Sequence, residues 1–497
     1  MSALTGERES AGAATPQLLA LLPVAALYYA VLLLIGTGIA TGKVGLLAHV
    51  DNGLAFNSML EHMLRGRFDV DPAAITYEGM VRDGRTYAYF GVFVALLRLP
   101  FSLVGDLRST DFTVLSCLIA AILNAGAMLA AIAVVWRALP ASRTRTLIGG
   151  GLVAVTLFAG PEIAFLKPSI YQEVILWADA LAAAFVCCAL HGLFLRRAFS
   201  VGLLTAMAVL AGLCLNTRVT TAIGLYGATG LIVLRTGWIE WRRGRRLPLR
   251  LLAPLAVLGA FAALCGVVNY ERWGNPFTFL DLTRDIGYVT LFPERLVVFA
   301  QHGAFNPARI LYGLIYYFLP IWAIRGADGH FLFDDFQRRF MDSVELPPAS
   351  FLVNDALLVA LAVLGLVLAW RRRRQAGIDL AALGLTAAAL AAPALLILSA
   401  LGMTFRYRGE FYPLLDFAAC AGFFLAGTAP QPAPPALKPL VLAACVLSVL
   451  GTHLSLALYD LSAFGSARDI VPGASLVDYY RSRLGVVTGA FAAKPPH

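Results

Sequence analysis

Residues 18–41, LLALLPVAALYYAVLLLIGTGIAT, decide the fold, and Asp51 follows them at a short remove. The run is uncharged and exceeds the roughly 20 residues a helix needs to cross a hydrocarbon core about 30 Å thick. No convincing Ala-x-Ala cleavage site follows it, so it reads as an uncleaved first membrane span rather than a signal peptide. Past Asp51-Asn52-Gly53 the chain turns amphipathic. Phe56, Met59, Leu60, Met63 and Leu64 recur at helical spacing, Asn57, Glu61 and Arg65 are polar, and Gly66 supplies a stop. That period predicts a helix lying on the membrane surface rather than crossing it.

The rest of the chain repeats the first run's character. Hydrophobic residues make up 59% of 497 and charged ones 14%, with a mean hydropathy of +0.75, which is the composition of an integral membrane protein. The apolar runs are continuous rather than alternating, so the fold class is all-α and polytopic, and a β-barrel is excluded. All seven cysteines fall inside apolar runs, with neither metal-ligand spacing nor a disulfide framework. The net charge of +9 comes from arginine clusters between spans, which positive-inside bias explains without nucleic acid.

Those clusters set the orientation. They are Arg137, Arg143 and Arg145; Arg196 and Arg197; Arg235, Arg242, Arg243, Arg245, Arg246 and Arg250; Arg371, Arg372, Arg373 and Arg374; and Lys438 in the Pro-rich linker 428–439. Placing all of them inside requires about eleven spans, near 18–41, 112–136, 147–160, 174–195, 200–215, 218–234, 251–269, 354–370, 378–401, 412–427 and 438–458. Residues 1–17 then form a cytoplasmic tail, 18–459 the transmembrane domain, and 460–497 an extracytoplasmic tail read as a surface helix. The polar mass falls on the outer face in loops 41–111 and 269–354. Residues 90–101 read as a second surface helix and 310–324, with Tyr312, Tyr316, Tyr317, Phe318 and Trp322, as a third. Were the last to cross, the topology after it would invert.

The first span, the acid opening an amphipathic helix that ends Leu64-Arg65-Gly66, and Asp83-Gly84-Arg85-Thr86-Tyr87-Ala88-Tyr89-Phe90-Gly91 leading into a second surface helix form an ordered set. Leu215-Asn216-Thr217-Arg218 and Phe405-Arg406-Tyr407-Arg408-Gly409-Glu410-Phe411-Tyr412-Pro413 continue it. In this order the chain resembles the GT-C superfamily of polyprenyl-phosphate-sugar-dependent membrane glycosyltransferases, the group of protein mannosyltransferases, aminoarabinose transferases and arabinofuranosyltransferases. The likeness covers roughly the first 270 residues and is looser beyond them.

The resemblance implies an inverting glycosyltransferase that moves one sugar from a polyprenyl phosphate to a cell-envelope glycan, lipid or protein outside a bacterial plasma membrane. It implies Asp51 as the catalytic carboxylate, since an attacking hydroxyl must lose a proton to a base within hydrogen-bond reach. The plainer reading is that Asp51 or Asn52 caps the following helix. Family members often carry a second acid where this chain has Asn52, and an amide holds a sugar hydroxyl without acting as a base. A substrate-binding acid is implied in the loop between the third and fourth spans, where Glu173 matches better than Glu162, beside Tyr171 and with Lys167 as partner; a plain interfacial ion pair is the alternative. A departing lipid phosphate needs cations. Arg406 and Arg408, flanking Tyr407, are the leading pair, and Arg82, Arg85 and Arg218 are rivals, each of which can equally be a snorkelling arginine.

No metal and no cofactor is required by this reading. The histidines are scattered, and although Asp281, Asp285, Asp334 and Asp335 can meet a divalent cation, a solvated acidic loop explains them. Gly-rich nucleotide loops are missing from the sequence, which disfavours nucleotide-sugar donors and ATP-driven transport. The expected partners are the lipid-linked donor, the acceptor and membrane lipid, with no nucleic acid. A transporter or flippase of a lipid-linked sugar is the main alternative, but its two matching halves are not visible here. An O-antigen polymerase-like or ligase-like enzyme is the other.

The orientation is testable by thiol labelling in intact cells: a cysteine placed at Ala304 should react with an impermeant reagent from outside and one at Ala376 should not. Outside labelling at position 376 would reverse the topology.

Overall fold

The computed structural model describes residues 17–244, 249–320, 333–345, 349–372, 379–429, 435–461 and 476–492. Residues 1–16 of the N-terminal tail, Arg245, Arg246, Trp322, Arg373, Arg374 and residues 430–434 of the Pro-rich linker lie outside the described residues. Helices of eight or more residues are numbered α1 to α15: Leu22–Thr41, Ala55–Met63, Thr113–Ala138, Arg143–Phe158, Ile170–Leu190, Val201–Leu215, Val219–Arg242, Leu252–Trp273, Pro293–His302, Ile310–Phe318, Ala356–Arg371, Leu380–Leu398, Tyr412–Gly427, Leu437–Leu461 and Leu476–Ala492.

Local chemistry sets many of the ends. The side chains of Ser142, Ser169, Ser200 and Asp379 accept first-turn amides of α4, α5, α6 and α12, amides that the helix itself leaves unpaired. Gly42 and Gly274, at φ 68° and 74°, close α1 and α8 in the left-handed region that a side chain disfavours.

Each expected span corresponds to a helix. Nine helical segments among the described residues are long and apolar enough to cross a membrane. The counterparts of the fifth and eighth expected spans, α6 and α11, are 15 and 16 residues long, short of the roughly 20 that a perpendicular crossing needs. Small residues set the closest approach: a Cβ on Gly365 of α11 would come within 2.9 Å of the Gly422 Cα on α13, the backbone-to-backbone contact that apolar helices use in place of a hydrophobic drive.

Loop 41–111 folds onto the bundle. Its helix α2 does not lie with its apolar face on a membrane: Phe56, Met59 and Leu60 are fully buried in one cluster with Phe90, Val94 and Phe165. Asn57, expected on a polar face, is also buried, because its amide donates to the Leu107 and Thr110 carbonyls while its oxygen accepts from Arg98 Nε. The second expected surface helix is a single turn, Phe93–Leu96, followed by a 3₁₀ turn at Phe101–Leu103. The described part of the third is α10, nine residues, about 14 Å at 1.5 Å per residue and too short to cross. Between α2 and the turn at Phe93–Leu96 stands a hairpin, Met80–Arg82 paired antiparallel with Arg85–Tyr87, turned by Asp83 and Gly84 at φ 52° and 74°. Both signs are those of the tight turn that suits strand twist. In the C-terminal tail, α15 packs back on α14 and Arg483 Nε donates to the Leu461 carbonyl.

Arg98 reaches Glu173 with both ends of its fork, at 2.7 and 2.8 Å, and neither side chain is exposed. The expected partner, Lys167, lies elsewhere: its ammonium donates to the Tyr459 carbonyl at 3.1 Å and sits over that ring. Arg98→Met should therefore lower stability by about 3–5 kcal/mol, the cost of stranding a buried charge, and adding Glu173→Gln should restore most of it. Thermal unfolding of the purified variants checks this; equal losses in the single and double variants would rule it out.

Candidate active site

The three quoted sequence pieces meet at one end of the bundle. Gly91 lies so close to the Asn216 carbonyl that no side chain fits there, and Phe93 N donates to that carbonyl at 2.8 Å. Two residues on, Arg218 pairs with Glu410, which also accepts from Thr220 and Thr221. Arg218 stacks 5.5 Å above the Tyr407 ring, while Arg406 lies 4.3 Å over Tyr171.

Between these elements opens a cavity of about 370 Å³. Its apolar wall comes from the bundle, with Leu215 of α6, Cys265 and Val268 of α8 and Ile397 of α12. Its polar wall comes from loops, with Glu78, Asp285, Tyr288 and Arg295 facing Tyr171, Arg218 and Arg406. Such a mixture suits a ligand with a charged head and an apolar body. The Arg406 guanidinium makes no hydrogen bond to a described residue, so its donors are available to a ligand.

Arg218, Arg406 and Tyr171 thus share the cavity, and the other sequence candidates are dispersed. Arg408 is fully buried, bonded to Asp355 and set 4.2 Å over the Phe351 ring. The expected Arg406/Arg408 fork is split because Phe405–Phe411 is 3₁₀, and at three residues per turn positions i and i+2 leave on different sides. Arg85 is exposed on the hairpin, and Arg82 donates to the Arg272 carbonyl. Glu173 and Lys167 are buried. Glu162 is likewise interior, accepting from the Tyr29 hydroxyl and the Asn124 amide.

Asp51 and Asn52 line a neighbouring recess of about 290 Å³ with His49, Ala73, Thr76 and Tyr77. The Asp51 carboxylate is exposed and does not cap α2, whose N-terminus has no side-chain cap. Its loop is pinned from below: Asp111 accepts the amides of Val50 and Thr113 at 2.8 and 2.9 Å, and Thr113 donates to the Gly53 carbonyl. A hydrogen bond of 2.7 Å from Thr76 Oγ1 to Asn52 Oδ1 joins this recess to the segment carrying Glu78.

Glu78, Tyr288 and Arg295 were not legible as site residues, and Asp285, expected in a solvated acidic loop, is buried. Asp83-Gly84 was the one available signal, since it marks a hairpin turn and so places Glu78 at the hairpin's base. Asp285 arrives by a bridge to Met80 across some two hundred residues of chain, which no local pattern encodes. Burial pushes the Glu78 carboxyl above its ordinary range, against the pull of the Tyr171 hydroxyl and the charges of Arg406 and Arg295. Burial likewise pushes Asp285 up to about 6, opposed by the Tyr288 amide and reinforced by the Glu78 charge. Among the described residues no group of three or more His, Cys, Asp and Glu side chains is arranged to hold a metal ion. Asp281 bonds Thr283 and Arg284 instead.

No protein-family model and no curated protein matches this sequence. Solved structures do. The Archaeoglobus fulgidus oligosaccharyltransferase AglB, in complex with an inhibitory peptide and a dolichol-phosphate, aligns over 89% of this chain and 56% of its own at 15% identity and a TM-score of 0.44. The apo form of the Archaeoglobus fulgidus oligosaccharyltransferase aligns over 90% and 56% at 14% identity and the same score. ArnT from Cupriavidus metallidurans, bound to undecaprenyl phosphate, aligns over 95% and 76% at 14% identity and a TM-score of 0.38. The chain thus spans little more than half the length of the archaeal proteins, and likeness at this level leaves function to be read from the cavity.

Asp285 supplies a stability test. Its folded pKa of about 6 lies above the ordinary 3.8, so the folded state holds the extra proton, and stability present at pH 4 is lost as pH rises through 6. Asp285→Asn removes that loss. It should leave the thermal midpoint unchanged near pH 4 and raise it at pH 8, by the equivalent of about 2–3 kcal/mol at most. A variant less stable than the parent at pH 8 would contradict this.

Proposed function

We propose that this protein is an inverting membrane glycosyltransferase that transfers one sugar from a polyprenyl phosphate to a cell-envelope acceptor, on the extracytoplasmic side of a bacterial plasma membrane. The observation that carries the reading is the cavity. An arginine with unused donors, Arg406, lies over a tyrosine at the meeting of polar loops with an apolar helix wall. A phosphate esterified to a long hydrocarbon needs those two surfaces side by side. The AglB complex contains a dolichol-phosphate and the Cupriavidus structure an undecaprenyl phosphate; the donor proposed here is of the same chemical class.

In the proposed reaction the acceptor hydroxyl oxygen bonds to the anomeric carbon as the bond from that carbon to the phosphate oxygen breaks. The hydroxyl proton passes to a carboxylate, and the lipid phosphate leaves with the bonding pair. Asp51 is proposed as the proton acceptor, since its carboxylate is exposed in a recess adjoining the cavity and makes no hydrogen bond to a described residue. Arg406 and Arg218 are proposed to meet the growing charge on the phosphate, where preorganised donors lower a barrier most.

One transfer assay with a polyprenyl-phosphate sugar tests both roles. Asp51→Asn keeps size and should cut turnover at least about a hundredfold, the lower end of what general-base catalysis supplies. Arg406→Ala should weaken donor use by roughly tenfold to a hundredfold, the worth of a charged hydrogen bond. Near-parental turnover by Asp51→Asn would remove it from the chemistry, and a parent without transfer activity would reopen the transporter reading.

A further inference from the structure

The joint between the two recesses is strained. Thr76 is β-branched yet sits at φ 49°, ψ −124°, and Asn52, which receives its hydrogen bond, is left-handed at φ 58°. A branched Cβ disfavours that region, and such strain persists only where the surroundings over-determine it. Here the Asn52–Thr76 bond does so from one side. From the other, the chain is held by Gly79, where a Cβ would run into the Thr86 side chain and the Thr76 carbonyl, and by the bridge from Met80 to Asp285. Two residues beyond the strained position, Glu78 enters the cavity beside Tyr171.

Two carboxylates consequently share one cavity with arginines and yet form no ion pair with them. Neither Glu78 nor Asp285 has a cationic nitrogen within ion-pair distance among the described residues. Asp285 accepts the Tyr288 amide with one oxygen at 2.9 Å, and the Gly287 amide also acts on its carboxylate. Ionised carboxylates are acceptors only, and beyond the Tyr171 hydroxyl at Glu78 and the backbone amides at Asp285 these oxygens can take the hydroxyl donors of a ligand. Tyr89, Tyr171, Tyr288 and Tyr407 line the cavity around them, and tyrosine rings carry flat apolar surface of the kind that packs against the C–H face of a pyranose or furanose.

We propose that Glu78 and Asp285 accept the hydroxyls of the transferred sugar, with the Asn52–Thr76 clasp positioning Glu78 for it. The inference rests on the donor reading above and deepens it. The cavity reads two parts of one molecule, a phosphate through Arg406 and a polyhydroxylated ring through the two carboxylates. Discrimination follows, because a site built to bond hydroxyls strands its own buried acceptors when the hydroxyls are missing.

The test is equilibrium binding to the purified full-length protein, using a short-chain polyprenyl phosphate and the same lipid phosphate carrying a hexose or a pentose. The parent should bind a sugar-bearing lipid more tightly than the bare one. Glu78→Gln and Asp285→Asn should each weaken that lipid about tenfold or more while leaving the bare phosphate within about twofold. Asn52→Ala, which opens the clasp, should act in the same direction, whereas Arg406→Ala should weaken both lipids alike. Glu78→Gln and Asp285→Asn variants that lose both lipids equally, or neither, would overturn the sugar-binding role. A parent that binds neither lipid would instead overturn the donor reading on which it rests.

Discussion

Glu410 holds the site together. Its carboxylate is fully buried and must be satisfied there, and it accepts from Arg218, Thr220 and Thr221 at once. A buried charge with one partner is costly, and with several good donors it becomes a fixed point. This one ties the junction of α6 and α7 to the 3₁₀ segment Phe405–Phe411, about 190 residues further along the chain. The rotation of that segment decides that Arg406 faces the cavity and Arg408 the interior.

The remaining walls depend on this joint. Asn216, two residues before Arg218, presents the carbonyl against which Gly91 closes and to which Phe93 bonds. The loop carrying Tyr89 is thereby brought to the same place. Arg272 at the end of α8 donates to the Phe90 carbonyl at 2.8 Å, and Trp273 packs against Tyr87 of the hairpin. Polar loops are laid across helix ends, and the space between them is bounded by charge on one side and by apolar helix surface on the other.

Much of this architecture was legible in advance. Continuous apolar runs announced the helices, and Gly91, Asn216, Arg218 and Arg406 all belong to stretches that stood out as unusual. The errors have a common form. Helical spacing in residues 56–64 reported a helix correctly but not what its apolar face would meet. Arg406 and Arg408 flank one residue in the sequence and separate in space because their backbone is 3₁₀. Glu173 was paired with Lys167 on proximity along the chain, while Arg98, which bonds Asn57 as well, reaches it from the first large loop.

By itself the sequence determined that the chain belongs to the all-α membrane class, and where its long apolar helices run, because both follow from the length and apolarity of contiguous segments. It also marked Asp51, Arg218 and Arg406 as charges set beside apolar runs. Only the tertiary structure decided which of the charges share a cavity. Glu78 and Asp285 meet through one strand bridge, and Glu78 is aimed by a strained threonine fastened to Asn52. Pairings of that kind depend on distances between segments remote in the chain, and no local periodicity, cap or propensity records them.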